Sequence, residues 1–250
     1  MIAIKDLYSG YGDDDILKGV SLNILNNKLT VIAGPNGCGK STLLKTISGI
    51  IKKTSGSIFI DDIDLSNISP LDRAKRIAYL SQNRSVPDIA VKNLVLHGRF
   101  PYLSYPRRYR AEDREAVDMA LERMGIEGLR DKMVSELSGG ERQKVYIAMA
   151  LAQGSDYLLL DEPTTFLDIS HQFQLLDLAK ELCSENKSVV MVLHNLESAL
   201  SIADSFILMD KGRLLFEGSV DDVYSSKLID KVFNVEIKKE SDHWWCKKKL

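Results

Sequence analysis

The residues best suited to chemistry form one run, Gly34-Pro35-Asn36-Gly37-Cys38-Gly39-Lys40-Ser41-Thr42. A β-branched apolar stretch, Leu29-Thr30-Val31-Ile32-Ala33, precedes it, and a helical pattern, Leu43-Leu44-Lys45-Thr46-Ile47, follows. Strand, glycine loop and helix in that order make a polyphosphate cradle. Bare backbone at Gly34, Gly37 and Gly39 lets N–H groups wrap an anion, and the next helix points its N-terminal dipole at the same charge. Lys40 has the reach for β- and γ-phosphates, and the Ser41 hydroxyl suits Mg²⁺. A plain glycine turn would use the same residue types, but the flanking strand and helix argue for the cradle. Cys38, inside the loop, is read as a small spacer or as a redox-sensitive thiol.

Two further segments carry chemistry. Leu158-Leu159-Leu160-Asp161-Glu162 is an apolar strand ending in adjacent acids. Neighbouring strand residues face opposite ways, so Asp161 is expected to meet Mg²⁺ while Glu162 serves as general base or water-orienting group. Away from a phosphate loop, such acids are ordinary turn formers. Leu137-Ser138-Gly139-Gly140-Glu141 opens a helix. It reads as a second anion site or as a serine N-cap with a glycine hinge, and by itself it favours the cap.

These residues need elements to hold them. Residues 1–30 alternate as short antiparallel strands, with Tyr11-Gly12 in a turn. The loop helix stops near Gly49, Gly56–Asp61 reads as a strand and turn, and Leu71–Arg76 as a short helix. Four apolar runs, Ile77–Leu80, Tyr157–Leu160, Val189–Leu193 and Phe206–Met209, read as buried parallel strands. Their polar ends are Ser81-Gln82, Asp161-Glu162, His194 and Asp210. Ligands in open α/β sheets lie beyond the carboxyl ends of strands, so Gln82, Asp161, Glu162 and His194 are predicted to converge on the phosphate loop. Residues 85–155 turn helical, with faces Ala116, Val117, Ala120, Leu121, Met124 and Val145, Ala148, Met149, Ala152. A later amphipathic helix carries Phe173, Leu176 and Ala179 behind Asp168 as N-cap. Residues 221–250 are weakly patterned, and Trp244–Lys249 reads as a terminal strand with a solvated basic end.

Length and composition set outer limits. At 250 residues the chain can bury a real core, and a formal net charge of −2 gives no overall case for nucleic-acid binding. Cys38, Cys183 and Cys246 are scattered and match no metal spacing, which suggests a reducing compartment. Neither a signal-like N-terminus nor an apolar run of about 18 residues appears. The expected location is the cytoplasm or the cytoplasmic face of the cell membrane, held there by another protein.

The order of glycine loop, Gln82, Leu137–Glu141, Asp161-Glu162, Phe166-Leu167-Asp168 and His194 resembles the ATP-binding cassette family, from Tyr11 to about Gly218. The resemblance implies an ATP hydrolase with a P-loop NTPase core: α/β, mainly parallel, with an N-terminal antiparallel β region and an inserted α-helical lobe. Residues 1–84 and 156–235 would form the core, 85–155 the lobe and 236–250 a tail of one domain. Two such cassettes sandwich two ATP molecules head to tail, so Ser138, Gly139, Gly140 and Glu141 would contact the ATP of a second copy. By the same resemblance Gln82 senses Mg²⁺ and water, and His194 hydrogen-bonds the γ-phosphate. Asp168 links the two sites, and Tyr11 stacks on adenine, with Tyr8 as its rival. Asn195 departs from the aspartate frequent in the family, yet still suits a helix cap.

A finer similarity rests on His97-Gly98-Arg99-Phe100-Pro101-Tyr102 and Leu167-Asp168-Ile169-Ser170-His171-Gln172. These look like importer ATPases for ferric siderophores, haem or cobalamin. The likeness implies transmembrane permease subunits gripping residues 83–110, an external substrate-binding protein beyond them, and an iron chelate as cargo. A soluble cassette acting on another macromolecule is the competing class. No coiled coil of a DNA-repair clamp and no second cassette of a ribosome factor is present, whereas cluster assembly is opposed only by the His97–Tyr102 segment. A small-molecule kinase would leave Ser138–Glu141 and His194 unexplained.

Overall fold

The computed structural model describes residues 1–12, 14–82, 84–241 and 243–248. Asn83, the first residue of the expected docking surface, and Lys249, in the basic end, lie outside the described residues. So do Asp13, Asp242 and Leu250.

Strands β1 (Ile2–Tyr11) and β2 (Asp14–Ile24) pair antiparallel. They are longer than the short strands expected, because register shifts absorb the breaks in alternation. Tyr11 is the last residue of β1 rather than part of a turn. Strand β3 (Leu29–Ala33) leads through the glycine loop into helix α1 (Lys40–Ile47). Gly49 follows the helix in the left-handed conformation at φ 75°. Strand β4 (Lys53–Ile60) pairs with β1, and the short β5 (Ile63–Asp64) completes a four-stranded sheet. Helix α2 (Pro70–Arg76), capped by Ser69, feeds β6 (Ile77–Leu80).

The next stretch is helical: α3 (Val91–Leu96), α4 (Ala111–Arg123) and α5 (Gly139–Ala152), joined by short 3₁₀ turns. The chain then alternates β7 (Tyr157–Asp161), α6 (Ile169–Ser184), β8 (Ser188–Val192), α7 (Leu196–Ile202), β9 (Ser205–Asp210) and β10 (Arg213–Gly218). The second sheet runs β10-β9-β3-β8-β7-β6, parallel throughout except for β10. Last come α8 (Val220–Ser226), α9 (Leu228–Phe233) and a hairpin of β11 (Val235–Glu240) with β12 (His243–Lys248).

Strand period decides the layering. Leu158 and Leu160 face one side of the parallel sheet, packed with Val117, Leu121, Val145 and Leu176 of the helices. Leu159, Val190 and Ile207 face the other, packed with α1 and the antiparallel strands through Leu43, Ile4 and Val20. Both faces are covered, which is why these strands read as unbroken apolar runs. On α6 the expected face is corrected. Leu175, Leu176, Leu178, Ala179 and Leu182 are buried, whereas Phe173 is exposed. The end of the chain is the expected terminal strand, β12, with Lys247 and Lys248 exposed, and it is also anchored by packing. Trp244 is buried and meets Tyr224 edge-on, with ring centroids 5.1 Å apart.

Candidate active site

The order β3-β8-β7-β6 brings four strand ends into a row, carrying in turn the glycine loop, His194, Asp161-Glu162 and Gln82. A cleft of about 340 Å³ lies between the loop and Gln82, Glu162 and His194. A larger groove of about 550 Å³, lined by Arg99, Met119, Arg123 and Leu182, contains none of the phosphate-site residues.

The loop's first glycine is set by packing. A Cβ at Gly34 would stand 2.3 Å from the Met209 carbonyl oxygen and 2.7 Å from Cys38 Sγ, and φ is 155°. Helix α1 begins at Lys40 with no side-chain cap, which leaves its first N–H groups for an anion. Lys40 is 6% exposed, and its Nζ donates to the carbonyls of Gly34 (2.7 Å) and Pro35 (2.9 Å). The ammonium is thus held over the loop centre by partners that a phosphate oxygen can replace.

Asp161 is 1% exposed. Its Oδ1 accepts from Ser41 Oγ at 3.0 Å and its Oδ2 from Tyr79 OH at 3.1 Å. Burial pushes the Asp161 carboxyl above its ordinary pKa, opposed by these two hydrogen bonds. Burial and the neighbouring carboxylate push the Tyr79 phenol up as well, so it remains a donor. Glu162 turns the other way, but not through strand alternation. It leaves the strand with φ 53°, a left-handed step that a non-glycine residue rarely takes. Gln82 Nε2 donates to Glu162 Oε2 at 2.5 Å, and His194 Nε2 lies 2.6 Å from Glu162 Oε1.

Cys38 is 3% exposed, with Lys40 Nζ 3.9 Å from its sulfur. Burial pushes the thiol above its ordinary pKa. Peptide mass spectrometry after N-ethylmaleimide treatment should find Cys38 labelled at least about tenfold slower in the folded protein than in urea. Equal rates would reject a buried thiol and restore the redox reading.

The other motif residues lie outside the cleft. Ser138 caps α5: Glu141 Oε2 accepts from Ser138 N (2.9 Å) and Ser138 Oγ (2.7 Å), while Glu141 N donates back to Ser138 Oγ (3.3 Å). Those hydrogen bonds hold the Glu141 carboxyl below its usual range. A Cβ on Gly140 would stand 3.2 Å from the Phe166 carbonyl oxygen. Asp168 caps α6, accepting from His171 N at 2.9 Å, with His171 Nδ1 2.8 Å away. Ser138, Gly140, Glu141 and Asp168 line a separate groove of about 490 Å³. Tyr11 is 52% exposed and accepts from Lys45 Nζ at 3.3 Å; Ile16, not Tyr11, lines the phosphate cleft. Tyr79 was missed in the sequence, where its only signal is a polar tip within an apolar strand three residues before Gln82.

A glycine loop, a lysine inside it and two adjacent carboxylates at the end of β7 define a nucleoside triphosphatase of the P-loop class. Residues 17–165, more than half the chain, match the ABC transporter family model. The chain is 40% identical over 233 residues to the ferric enterobactin transport ATP-binding protein FepC of Escherichia coli, spanning 92% of this chain and 86% of that protein. It is 39% identical over 237 residues to the iron(3+)-hydroxamate import ATP-binding protein FhuC of Bacillus subtilis, spanning 94% and 88%. Among solved structures, the dimeric ABC transporter cassette MJ0796 aligns with a TM-score of 0.78 and 30% identity, over 88% of this chain and 99% of that one. The chain therefore belongs to the ABC transporter family. It is an ATP hydrolase; cassettes of this family bind ATP, form dimers and pair with transmembrane permeases. Among the described residues no helix is long and apolar enough to cross a membrane.

Proposed function

We propose that this chain powers an importer of ferric siderophores. The observation that carries the proposal is near-full-length similarity to FepC and FhuC, whose names state ferric enterobactin transport and iron(3+)-hydroxamate import. In this reading the chain is one cassette domain on the cytoplasmic face of the membrane, with residues 85–155 as its lobe and 236–250 as its tail.

The chemistry follows from the cleft. The loop N–H groups and Lys40 bind the β- and γ-phosphates, Lys40 exchanging its two carbonyl partners for phosphate oxygens. Ser41 Oγ and Asp161 Oδ1, 3.0 Å apart, and the Gln82 amide are hard oxygen donors that fit Mg²⁺. The ion supplies neutralisation of phosphate charge. Glu162 takes a proton from the attacking water as the bond between the γ-phosphorus and ADP breaks. Gln82 and His194 hold the Glu162 carboxylate, and His194 also reaches the γ-phosphate. Tyr11 stacks on adenine from the end of β1.

Ser138–Glu141 and Asp168 act on a second copy. They lie outside their own chain's cleft, and beside them Phe166, Ile169 and Phe173 are exposed, a run of apolar surface suited to burial. The permease contacts the 83–110 surface, where Tyr105 is 97% exposed with Phe100 and Tyr102 exposed nearby. Deleting the gene should abolish uptake of radiolabelled ferric siderophore and leave cobalamin uptake unchanged. Retained siderophore uptake, or loss of cobalamin uptake instead, would overturn the substrate.

A further inference from the structure

One half-buried arginine bolts the segment after β6 to α5. Arg84 Nε donates to the Ser81 carbonyl at 2.6 Å, and its NH2 donates to Gln143 Oε1 at 2.9 Å. The guanidinium lies 4.6 Å from the Tyr146 ring centroid, and the Tyr146 hydroxyl donates to the Ser85 carbonyl. Gln143, 4% exposed on α5, passes the contact on: its Nε2 donates to the Pro163 carbonyl at 2.5 Å. Pro163 directly follows Glu162, whose φ of 53° puts strain at this turn. Such a backbone persists only where its surroundings hold it. Gln82 and His194 hold the Glu162 side chain, Thr165 N donates to its carbonyl at 3.3 Å, and Gln143 holds the next carbonyl.

We propose that Arg84 and Gln143 are positioning residues for Glu162, setting the turn that aims its carboxylate and tying that turn to α5. This rests on Glu162 being the general base. Two features support it. Arg84 NH1 is buried without a hydrogen-bond partner among the described residues, and an unsatisfied cationic donor calls for a use that outweighs its cost. The planar fork is also what lets one side chain meet the Ser81 carbonyl and Gln143 together. Gln143 and the Ser138 cap sit on the same helix, fewer than two turns apart. Displacing the first turn of α5 therefore displaces Gln143 and the Pro163 carbonyl with it. The Ser138 end of one chain is linked to the Glu162 of that same chain.

The test measures ATP turnover of the full chain. Arg84→Met keeps a long side chain against Tyr146 and removes the fork, while Gln143→Leu removes the Pro163 bond. Each should lower kcat about tenfold, the effect of a small misplacement of a catalytic group, with KM for ATP within about twofold. The double variant should lose no more than about threefold beyond either single change, because both act along one chain of bonds. Arg84→Lys, which keeps the charge without the fork, should behave like Arg84→Met. Multiplicative losses, a change confined to KM, or wild-type kcat in Arg84→Lys would overturn the proposal. Should Arg84→Met fail to fold, Gln143→Leu carries the same kcat expectation. Glu162→Gln is measured alongside: wild-type turnover there removes the base and this proposal together. An inert Glu162→Gln with wild-type Arg84→Met removes the positioning role alone.

Discussion

Glu162→Gln is expected to cut ATP turnover by about 10²–10⁴-fold, the range for a general base, while MgATP still binds. The substitution keeps the size of the side chain. The new amide oxygen can still accept from Gln82 Nε2, a contact now of 2.5 Å. Its NH2 can donate to His194 Nε2, now 2.6 Å away, when that ring carries its proton on Nδ1. Nothing in the phosphate loop changes. A chain that binds ATP and cannot cleave it should accumulate as a closed pair of copies. Phosphate release measures the first effect, and sedimentation velocity with and without MgATP measures the second. Phosphate release at the wild-type rate would remove Glu162 as the base.

Lys40→Ala is expected to fail earlier, at binding. The ammonium is held by the carbonyls of Gly34 and Pro35 at 2.7 and 2.9 Å, within reach of any phosphate in the loop. A hydrogen bond to a charged group is worth roughly 1.5–3 kcal/mol, so losing it should raise the Kd for ATP by about 10–10²-fold. Titration with a fluorescent ATP analogue reads this directly. An unchanged Kd would mean that Lys40 does not contact the nucleotide. Together the two variants separate binding from chemistry: one chain that cannot load and one that loads and stalls.

The phosphate cradle and the central sheet were legible in the sequence for a physical reason. Parallel strands buried on both faces show as unbroken apolar runs, and Leu158-Leu159-Leu160 cannot be misread as an amphipathic surface. The convergence of Gln82, Asp161, Glu162 and His194 followed from where such strands end. Contacts made across long sequence separations were not legible. Nothing near Arg84 announces Gln143, 59 residues later, as its partner. The left-handed step at Glu162 was hidden because a residue that precedes proline, here Pro163, is expected to be extended. Phe173 misled because helical spacing identifies an apolar face without saying what covers it. Of the two readings of the Ser138 segment, one is visible in a single chain. Within one chain the structure shows the helix cap, and the anion-binding reading requires a second copy.

The apolar cluster on one face of the parallel sheet runs without interruption from Val91 and Leu121 of the helices, through Leu160 and Val189, to Phe206 and Trp244. A lobe sharing its interior with the sheet cannot swing free as a separate module, since parting the two would bare that interior to water. Any movement between them must be a shear, with packed helices sliding by small steps while remaining in contact. Heat should likewise melt lobe, sheet and C-terminal hairpin in a single cooperative event rather than piece by piece.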